Sequence, residues 1–444
     1  MTRARSITIG LVSLAVLAAA CTAGTTTTAP PTLNPTASPT PVTLTVWSMF
    51  TQRQLKQFNS VLFQVEQKYP WITIKSVGGK DNTAIDNAMA SNTPPDVAIE
   101  CCPDSVAHYC STGSWLDLNA YLKQDGIDLA KTSPAAATQY TSYKGVQCSL
   151  PMLSDAYGLY YNVDMFQKAG ITSPPKTLTE LQADAQKLTQ LNSDGSFKVL
   201  GFLPLNDYET AQIVNGVYNG APYYDAAGKS AVATDPRWSQ LVQWQKSMVD
   251  QYGYSKLTKW FQSIGGANSE WTADQAFEQG KLAMALDGEW RVAFIQADKA
   301  KINYATAPFP VADDMVSKYG MGQVDGTVIG IPRGVANPQD SWNVVKYLAL
   351  DTQAEVQLAQ LLKNVPTTTA ALNDPTLAAD PHFATFLKIF LDPSSGYKEI
   401  TPLGTYDVDT LTGWVDKYLA GTQTDLQAGL QGVAKQIDDQ AQLG

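Results

Sequence analysis

The chain has 444 residues, of which 16% are charged and 44% are hydrophobic, and its formal net charge is -10. This length suits two or three lobes better than one core, and the composition excludes a disordered chain, a coiled coil and a polytopic membrane protein. The acidic balance argues against nucleic acid as a partner, because no basic face is available to neutralise phosphates. The chain has 10 Trp, 20 Tyr and 13 Phe, which favours a neutral ligand that can stack on aromatic rings.

The first 20 residues have the pattern of an export signal. Arg3 and Arg5 precede an apolar stretch over 7–20, which is too short for a resident transmembrane helix. The run LAAAC ends at Cys21 and resembles a bacterial lipobox. We therefore expect a lipoprotein signal peptide over 1–20 and a lipidated Cys21 that anchors the protein to the bacterial cell membrane, outside the cytoplasm. The alternative, an ordinary secretory signal cut at Ala-x-Ala, leads to the same compartment.

Residues 21–42 contain little except Thr, Pro, Ala and Ser. Such a segment has no apolar face to pack, and its prolines favour extended chain. We expect a solvated tether between the anchor and a globular body.

Strand and helix patterns alternate from Val42 onward. The run VTLTVWSMF predicts a strand, QRQLKQFNSVLFQVEQKY a helix and WITIKSV a strand, and the helix TAIDNAMAS then leads to the strand VAIE. This βαβαβ order predicts a parallel sheet covered by helices, with ligand loops at the strand ends 48–52 and 101–105. The same reading predicts helices near 177–191, 235–252, 272–280, 341–364 and 424–441, and strands near 157–161, 199–203, 282–286, 302–307 and 327–331.

Four cysteines lie in the body of the chain: Cys101, Cys102, Cys110 and Cys148. An even number in an exported protein favours two disulfides. A metal site is disfavoured, because the spacing lacks two CxxC pairs and His108 is the only imidazole nearby. We expect one bridge from Cys148 to the Cys101–Cys102 pair and one that closes locally on Cys110, although sequence alone does not fix the connectivity.

Five segments, in order along the chain, carry a family resemblance: LPMLSDAYGLYYNVDMFQKAGI, AFEQGKLAMALDGEWRVAF, YATAPFPVADD, VDGTVIGIPRGVANPQDSWNVVKYL and YLAGTQTDLQAGLQGVAKQIDD. They resemble the family 1 extracellular solute-binding proteins, the sugar-capturing components of ABC importers, over nearly everything from residue 43 onward. The resemblance implies an α/β fold of the two-lobed, periplasmic-binding-protein type (type II), with interleaved lobes joined by hinge strands. It implies an amino-terminal lobe of 43–155 plus 326–366 and a second lobe of 156–325 plus 367–444.

The resemblance also implies how such a protein works. The lobes close around a sugar by a hinge motion, and an ABC permease recognises the closed form. We therefore expect a monomeric binding protein for an oligosaccharide, with no catalysis, no cofactor and no metal.

A sugar site needs flat aromatic rings for the apolar ring face, and carboxylates and amides for the hydroxyl rim. Trp290, in the loop DGEW, is the best candidate for a stacking platform, and a buried structural Trp is the alternative. Beside it we expect Gly288 and Glu289 to contribute, although Glu289 could instead charge the start of the next helix.

Other candidates come from positions where the family supplies ligand contacts. Asp155 lies at the first crossover, where a turn or cap role is the alternative. The remaining candidates lie in loops and crossings: Asn206, Asp207 and Tyr208 after a strand, Phe50, Gln52 and Asp104 at strand ends of the first lobe, Asp325 and Gly326 at the third crossing, and Tyr406 in TPLGTYDVD. The Cys101–Cys102 pair stands where many relatives have binding-loop residues, and disulfides there would stiffen that wall.

Common catalytic motifs are missing from the sequence. Its two histidines, His108 and His382, lie in unrelated segments, and HExxH, GxSxG and GxxxxGK[ST] do not occur. A glycosidase pair of carboxylates leaves no sequence mark. A surface-anchored carbohydrate-active enzyme and a lectin-like adhesin therefore remain the alternatives to the importer component.

Overall fold

The computed structural model describes residues 40–442. The predictions for the signal peptide, for Cys21 and for nearly all of the tether lie outside these residues. Within this range, none of the helices has the length and apolar character needed to cross a membrane.

Nine strands occur in the described range: β1 (Val42–Trp47), β2 (Ile72–Val77), β3 (Val97–Glu100), β4 (Ser149–Asn162), β5 (Gln190–Leu191), β6 (Phe197–Val199), β7 (Met284–Gly288), β8 (Tyr304–Pro308) and β9 (Val324–Gly330). The α-helices of the same range are α1 (Gln52–Lys68), α2 (Asn82–Ala90), α3 (Val106–Thr112), α4 (Asn119–Gln124), α5 (Leu129–Thr132), α6 (Ala135–Thr138), α7 (Val163–Lys168), α8 (Leu178–Leu188), α9 (Pro236–Tyr252), α10 (Tyr254–Ser263), α11 (Trp290–Asp298), α12 (Pro338–Leu350), α13 (Thr352–Leu362), α14 (Thr369–Leu372), α15 (Pro381–Leu391), α16 (Tyr406–Leu419) and α17 (Leu426–Ala441).

One mixed sheet runs through the molecule in the order β2-β1-β3-β9-β4-β7, and β8 also pairs with β4. β1 is parallel to β2 and β3, as the βαβαβ pattern predicts. β4 has 14 residues, almost all of them buried. Its first half pairs with β9, and its second half, from Tyr157, pairs with β7 and β8. β4 therefore carries the chain from one lobe to the other, and β9 forms a second crossing beside it.

Separate hydrophobic cores lie on the two sides of these crossings. One core packs β1 and α1 against α12 and α13, and includes Leu44, Phe58 and Trp342. The other is larger, includes Trp238 and Phe277, and packs β7 and α9 with α15 to α17. We call the two sides the amino-terminal and the carboxy-terminal lobe. This two-lobed α/β arrangement is the predicted fold class.

Two predicted helices differ in the structure. The segment 272–280 is a run of turns, because the Gln275 side chain accepts hydrogen bonds from the backbone N–H of Phe277 (2.7 Å) and Glu278 (3.3 Å), which competes with helical pairing. The segment 341–364 is two helices, because the Asp351 carboxylate caps α13 by accepting from the N–H of Gln353 (3.1 Å) and Ala354 (3.3 Å).

Candidate ligand-binding cleft

A cleft of about 670 Å³ lies between the two lobes, within the size range of small-ligand sites. The amino-terminal side of its wall consists of residues 49–54, Cys101, Cys102 and Thr327. The carboxy-terminal side consists of Glu209, Gln212, 271–273, Trp290, Phe294 and Asp298, and the crossing segments add Asp155, Tyr157 and Asn364. The strand ends 48–52 and 101–105 thus contribute to the cleft as predicted, because the carboxyl ends of parallel strands meet at one sheet edge.

Aromatic rings form one side of the cleft. Trp290 begins α11 and is 8% exposed, whereas Trp271 is 55% exposed. Their rings lie 6.1 Å apart at 31°, and the Tyr157 ring meets Trp290 edge-on at 5.5 Å. The buried Nε1 of Trp290 has no hydrogen-bond partner among the described residues. This wall presents aromatic stacking surface, the feature that the apolar face of a sugar ring requires.

Gly288 does not line the cleft but makes room for Trp290. A Cβ at Gly288 would lie 2.3 Å from the Trp290 ring, so any larger residue would displace the indole. The structure thus places Gly288 at the end of β7, beside the Trp290 ring and outside the residues of the cleft wall.

Two carboxyl groups meet at the base of the cleft. The side-chain amide of Asn364 donates to Asp155 Oδ1 (2.6 Å) and Glu289 Oε1 (3.1 Å), and Glu289 Oε2 accepts from the backbone N–H of Ala156 (2.8 Å). Burial raises the pKa of Asp155 to about 6. Burial and the neighbouring Asp155 raise the pKa of Glu289 well above its usual range. Asp155 lines the cleft, whereas Glu289 is fully buried behind it.

Behind Tyr157 lies a polar network centred on Asp325. The Tyr157 hydroxyl donates to Asp325 at 3.4 Å, and the Gln323 amide donates to Asp325 Oδ2 (3.2 Å) and to Gln212 Oε1 (2.7 Å). Gln212 in turn donates to Glu209 Oε2 (3.3 Å). Asp325 therefore supports cleft residues from behind and is not among the residues of the wall.

The predicted group Asn206, Asp207 and Tyr208 also lies off the wall. The Asn206 amide donates to Asp416 (2.8 Å), and the Tyr208 hydroxyl pairs with the Ser269 hydroxyl (2.7 Å). The next residue, Glu209, lines the cleft instead. Tyr208, which directly precedes Glu209, has a φ of +52°, in the left-handed region.

Three further candidates have structural partners elsewhere. Asp104 Oδ1 accepts from the Tyr397 hydroxyl (2.9 Å) and lies 3.0 Å from Lys398 Nζ. A Cβ at Gly326 would lie 2.3 Å from the carbonyl oxygen of Leu153, so this glycine serves close strand packing. Tyr406 is the first residue of α16 rather than a loop residue. None of these three lines the cleft.

Of the predicted ligand residues, the structure brings Phe50, Gln52, Asp155 and Trp290 together on the wall. Sequence reasoning missed several wall residues: Arg53, Tyr157, Glu209, Gln212, Phe294, Asp298 and Asn364. Glu209 was one residue from a predicted group, and Tyr157 two residues from Asp155. Asn364 lies in a segment with no motif, and only the return of the chain at the end of α13 brings it to Asp155.

The cysteine pairing differs from the prediction. Cys110 is bonded to Cys148, which joins α3 to the start of β4. The predicted bridge from Cys148 to the Cys101–Cys102 pair is therefore wrong, because Cys148 packs in a small core with Cys110. Cys101 and Cys102 are free thiols on the cleft wall.

Sequence comparison relates the chain to sugar-binding proteins. The maltooligosaccharide ABC transporter solute-binding lipoprotein of Streptococcus pneumoniae (strain ATCC BAA-255 / R6) is 29% identical over 313 residues, which cover 68% of this chain and 66% of that protein. The match thus spans just under two thirds of that relative's length. The maltotriose-binding protein of Pyrococcus abyssi is 22% identical over 338 residues, which cover 76% of this chain and 69% of that protein.

Solved structures give the same relationship. CpMnBP1 with mannotriose bound superposes with a TM-score of 0.79 at 25% identity, covering 89% of this chain and 99% of that one. The GacH receptor of Streptomyces glaucescens superposes with a TM-score of 0.71 at 20% identity, covering 89% and 97%, and supports the fold alone. A family model described as bacterial extracellular solute-binding protein matches residues 57–385. Because this match covers more than half of the sequence, the chain belongs to the bacterial extracellular solute-binding protein family.

Proposed function

We propose that this protein binds an oligosaccharide outside the cytoplasm and delivers it to an ABC permease by closure of its two lobes. The observation that carries the proposal is the aromatic wall of Trp271, Trp290 and Tyr157 facing carboxyl and amide groups in one cleft between lobes. Stacking surface beside hydrogen-bonding groups is the combination that a neutral sugar requires.

The comparisons support this ligand class. Relatives named for maltooligosaccharide and maltotriose, and a structural neighbour with mannotriose bound, all handle short oligosaccharides. Family membership implies an extracytoplasmic location and a binding protein rather than an enzyme.

Anchoring and lobe boundaries complete the proposal. A lipidated Cys21 and the tether 21–42 would hold the body, as a monomer, within reach of the permease. The proposed lobe boundaries are 43–155 plus 326–366 and 156–325 plus 367–444. The separation of the two cores on either side of β4 supports them.

The test is a ligand screen on the full-length protein isolated in detergent from an exporting host. A ligand that binds only the folded state raises the midpoint of thermal unfolding. We expect maltotriose or mannotriose to raise the midpoint, with glycine, an amino acid lacking a sugar ring, as the negative control. Calorimetric titration then gives the Kd.

Two results would contradict the proposal. A midpoint unchanged by every oligosaccharide but raised by another solute class would overturn the ligand assignment. Recovery of the sugar as cleavage products would favour a carbohydrate-active enzyme, so the sugar is examined by mass spectrometry after release. Small-angle scattering with and without ligand tests lobe closure, which a lectin-like adhesin does not need.

A further inference from the structure

The two free thiols on the cleft wall lie unusually close together. Cys101 and Cys102 follow β3 directly, and their Sγ atoms are 3.0 Å apart. The distance is about 1 Å longer than the ~2.05 Å of a disulfide bond.

The chemical surroundings favour oxidation of this pair. Cys110 and Cys148 are already bonded to each other, so Cys101 and Cys102 have only each other as free thiols among the described residues. An extracytoplasmic protein experiences a compartment in which disulfides form and persist.

The pair is also accessible and asymmetric. Cys102 is exposed and Cys101 is half-buried, and both face the cleft. The hydrogen bond from Cys102 lowers the pKa of Cys101, and the same contact raises the pKa of Cys102. A thiol with a lowered pKa is the better attacking group in thiol–disulfide exchange near neutral pH.

We propose that Cys101 and Cys102 form a vicinal disulfide in the exported protein, and that this bond sets the ligand affinity of the cleft. The oxidant is a disulfide, either of a thiol oxidoreductase or of a small molecule. The Cys101 thiolate attacks one of its sulfurs and releases the other as a thiolate. The Cys102 thiolate then attacks Cys101 Sγ and releases the second. Two protein thiols lose two electrons and two protons, and the external disulfide becomes two thiols.

Formation of the disulfide changes the chemical groups that the cleft wall presents to a ligand. The reduced pair presents S–H groups, which are weak donors, whereas the oxidised pair presents an apolar edge whose side chains are fixed in a small ring. The effect on affinity rests on the proposed function, whereas formation of the bond does not.

The bond is tested by peptide mapping of the full-length protein. The protein is isolated without reductant, alkylated under denaturing conditions, digested and analysed by mass spectrometry. We expect the peptide with Cys101 and Cys102 to be unalkylated and lighter than the dithiol by two hydrogen masses. Alkylation of both residues without prior reduction, or a bond from either one to another cysteine or another chain, would overturn the proposal.

Affinity is then compared for the oxidised protein and for protein reduced mildly enough to keep Cys110–Cys148, which is buried. We expect reduction to change the Kd for the sugar by about 2- to 12-fold, the equivalent of one contact. The matched control is the variant Cys101→Ser/Cys102→Ser, whose Kd should not respond to reductant. An unchanged Kd in the parent protein, with the bond mapped, would overturn the affinity effect. If no sugar binds in either state, the proposed function fails while the mapping still decides the bond.

Discussion

Arg53 Nη1 lies 3.2 Å from Asp298 Oδ1 and joins α1 of the amino-terminal lobe to α11 of the carboxy-terminal lobe. The guanidinium also lies over the Phe294 ring, 5.0 Å from its centroid. All three residues line the cleft. Because the pair spans the two lobes, it can form only when they approach each other, and it stabilises the state in which the cleft is narrow.

Replacing Arg53 with Gln should therefore weaken ligand binding. The pair is partly exposed, so its loss should cost about 0.2–1 kcal/mol, or roughly 1.5- to 5-fold in Kd. The difference between the parent and the variant should shrink as salt is added, because exposed charges are screened. Calorimetric titration at two ionic strengths measures this. Lys131→Gln is the matched control, since Lys131 pairs with Asp128 within one lobe. An equal loss of affinity in both variants would contradict the interlobe role.

The two tryptophans of the wall should respond differently to truncation. Trp271→Ala should weaken sugar binding by about 1–3 kcal/mol with little change in the melting temperature, because that ring is 55% exposed. Trp290→Ala should lower both affinity and melting temperature, because its ring is also packed against Tyr157. Titration and thermal unfolding of both variants test this, with Trp414→Ala as a control away from the cleft wall. A Trp271→Ala variant with unchanged Kd would remove Trp271 from the site.

Asp155 should make stability depend on pH. Its pKa is about 6 in the folded protein against an ordinary value of 3.8. Between these values the folded state binds the proton more tightly than the unfolded state, so this group makes the free energy of unfolding fall as pH rises from about 4 to 6.

Asp155→Asn should remove that contribution. The variant should gain stability relative to the parent as pH rises through this window, by about 1–3 kcal/mol in total, and urea unfolding at several pH values measures it. Asp128→Asn is the control. Because Lys131 lowers the pKa of exposed Asp128, this carboxyl makes the free energy of unfolding rise with pH, the opposite of the effect of Asp155. A constant difference between Asp155→Asn and the parent from pH 4 to 7 would contradict the assignment.

Glu355 should matter for stability but not for binding. Its buried carboxyl accepts hydrogen bonds from the backbone N–H and the hydroxyl of both Thr367 and Thr368. In Glu355→Gln one oxygen becomes an NH₂ group, which leaves a backbone donor facing another donor. We expect a loss of about 1–3 kcal/mol in unfolding free energy with unchanged Kd. Urea unfolding and titration test this, and Glu355→Asp is the comparison that keeps the acceptors but shortens the reach. An unaltered unfolding free energy in Glu355→Gln would show that these bonds contribute little.

Much of the fold and part of the cleft wall could be predicted from local sequence patterns. The β-branched runs from Val42 to Glu100 predicted the parallel opening, because alternation of strand and helix patterns leaves few other arrangements. The loops after β1 and β3 were expected at the ligand because strand direction determines where such ends meet. Trp290 was also found from its setting, a large aromatic after a glycine at the start of a helix.

Tertiary structure decided which polar residues face the cleft. Asp104 and Asp325 look as suitable as Asp155 in the sequence, yet one is held by Lys398 and Tyr397 and the other supports Tyr157 from behind. Asn364 reaches Asp155 across 209 positions, and Arg53 reaches Asp298 across 245.

The cysteines show the same division. Their even number in an exported chain predicted disulfides, but the pairing of Cys110 with Cys148 depends on how α3 packs beside β4. The sequence by itself determined most of the elements and the α/β character, since these follow from local periodicity and residue type, and the family resemblance implied the two-lobed arrangement. Long-range packing decided the contents of the cleft, because contacts between distant segments leave no local pattern.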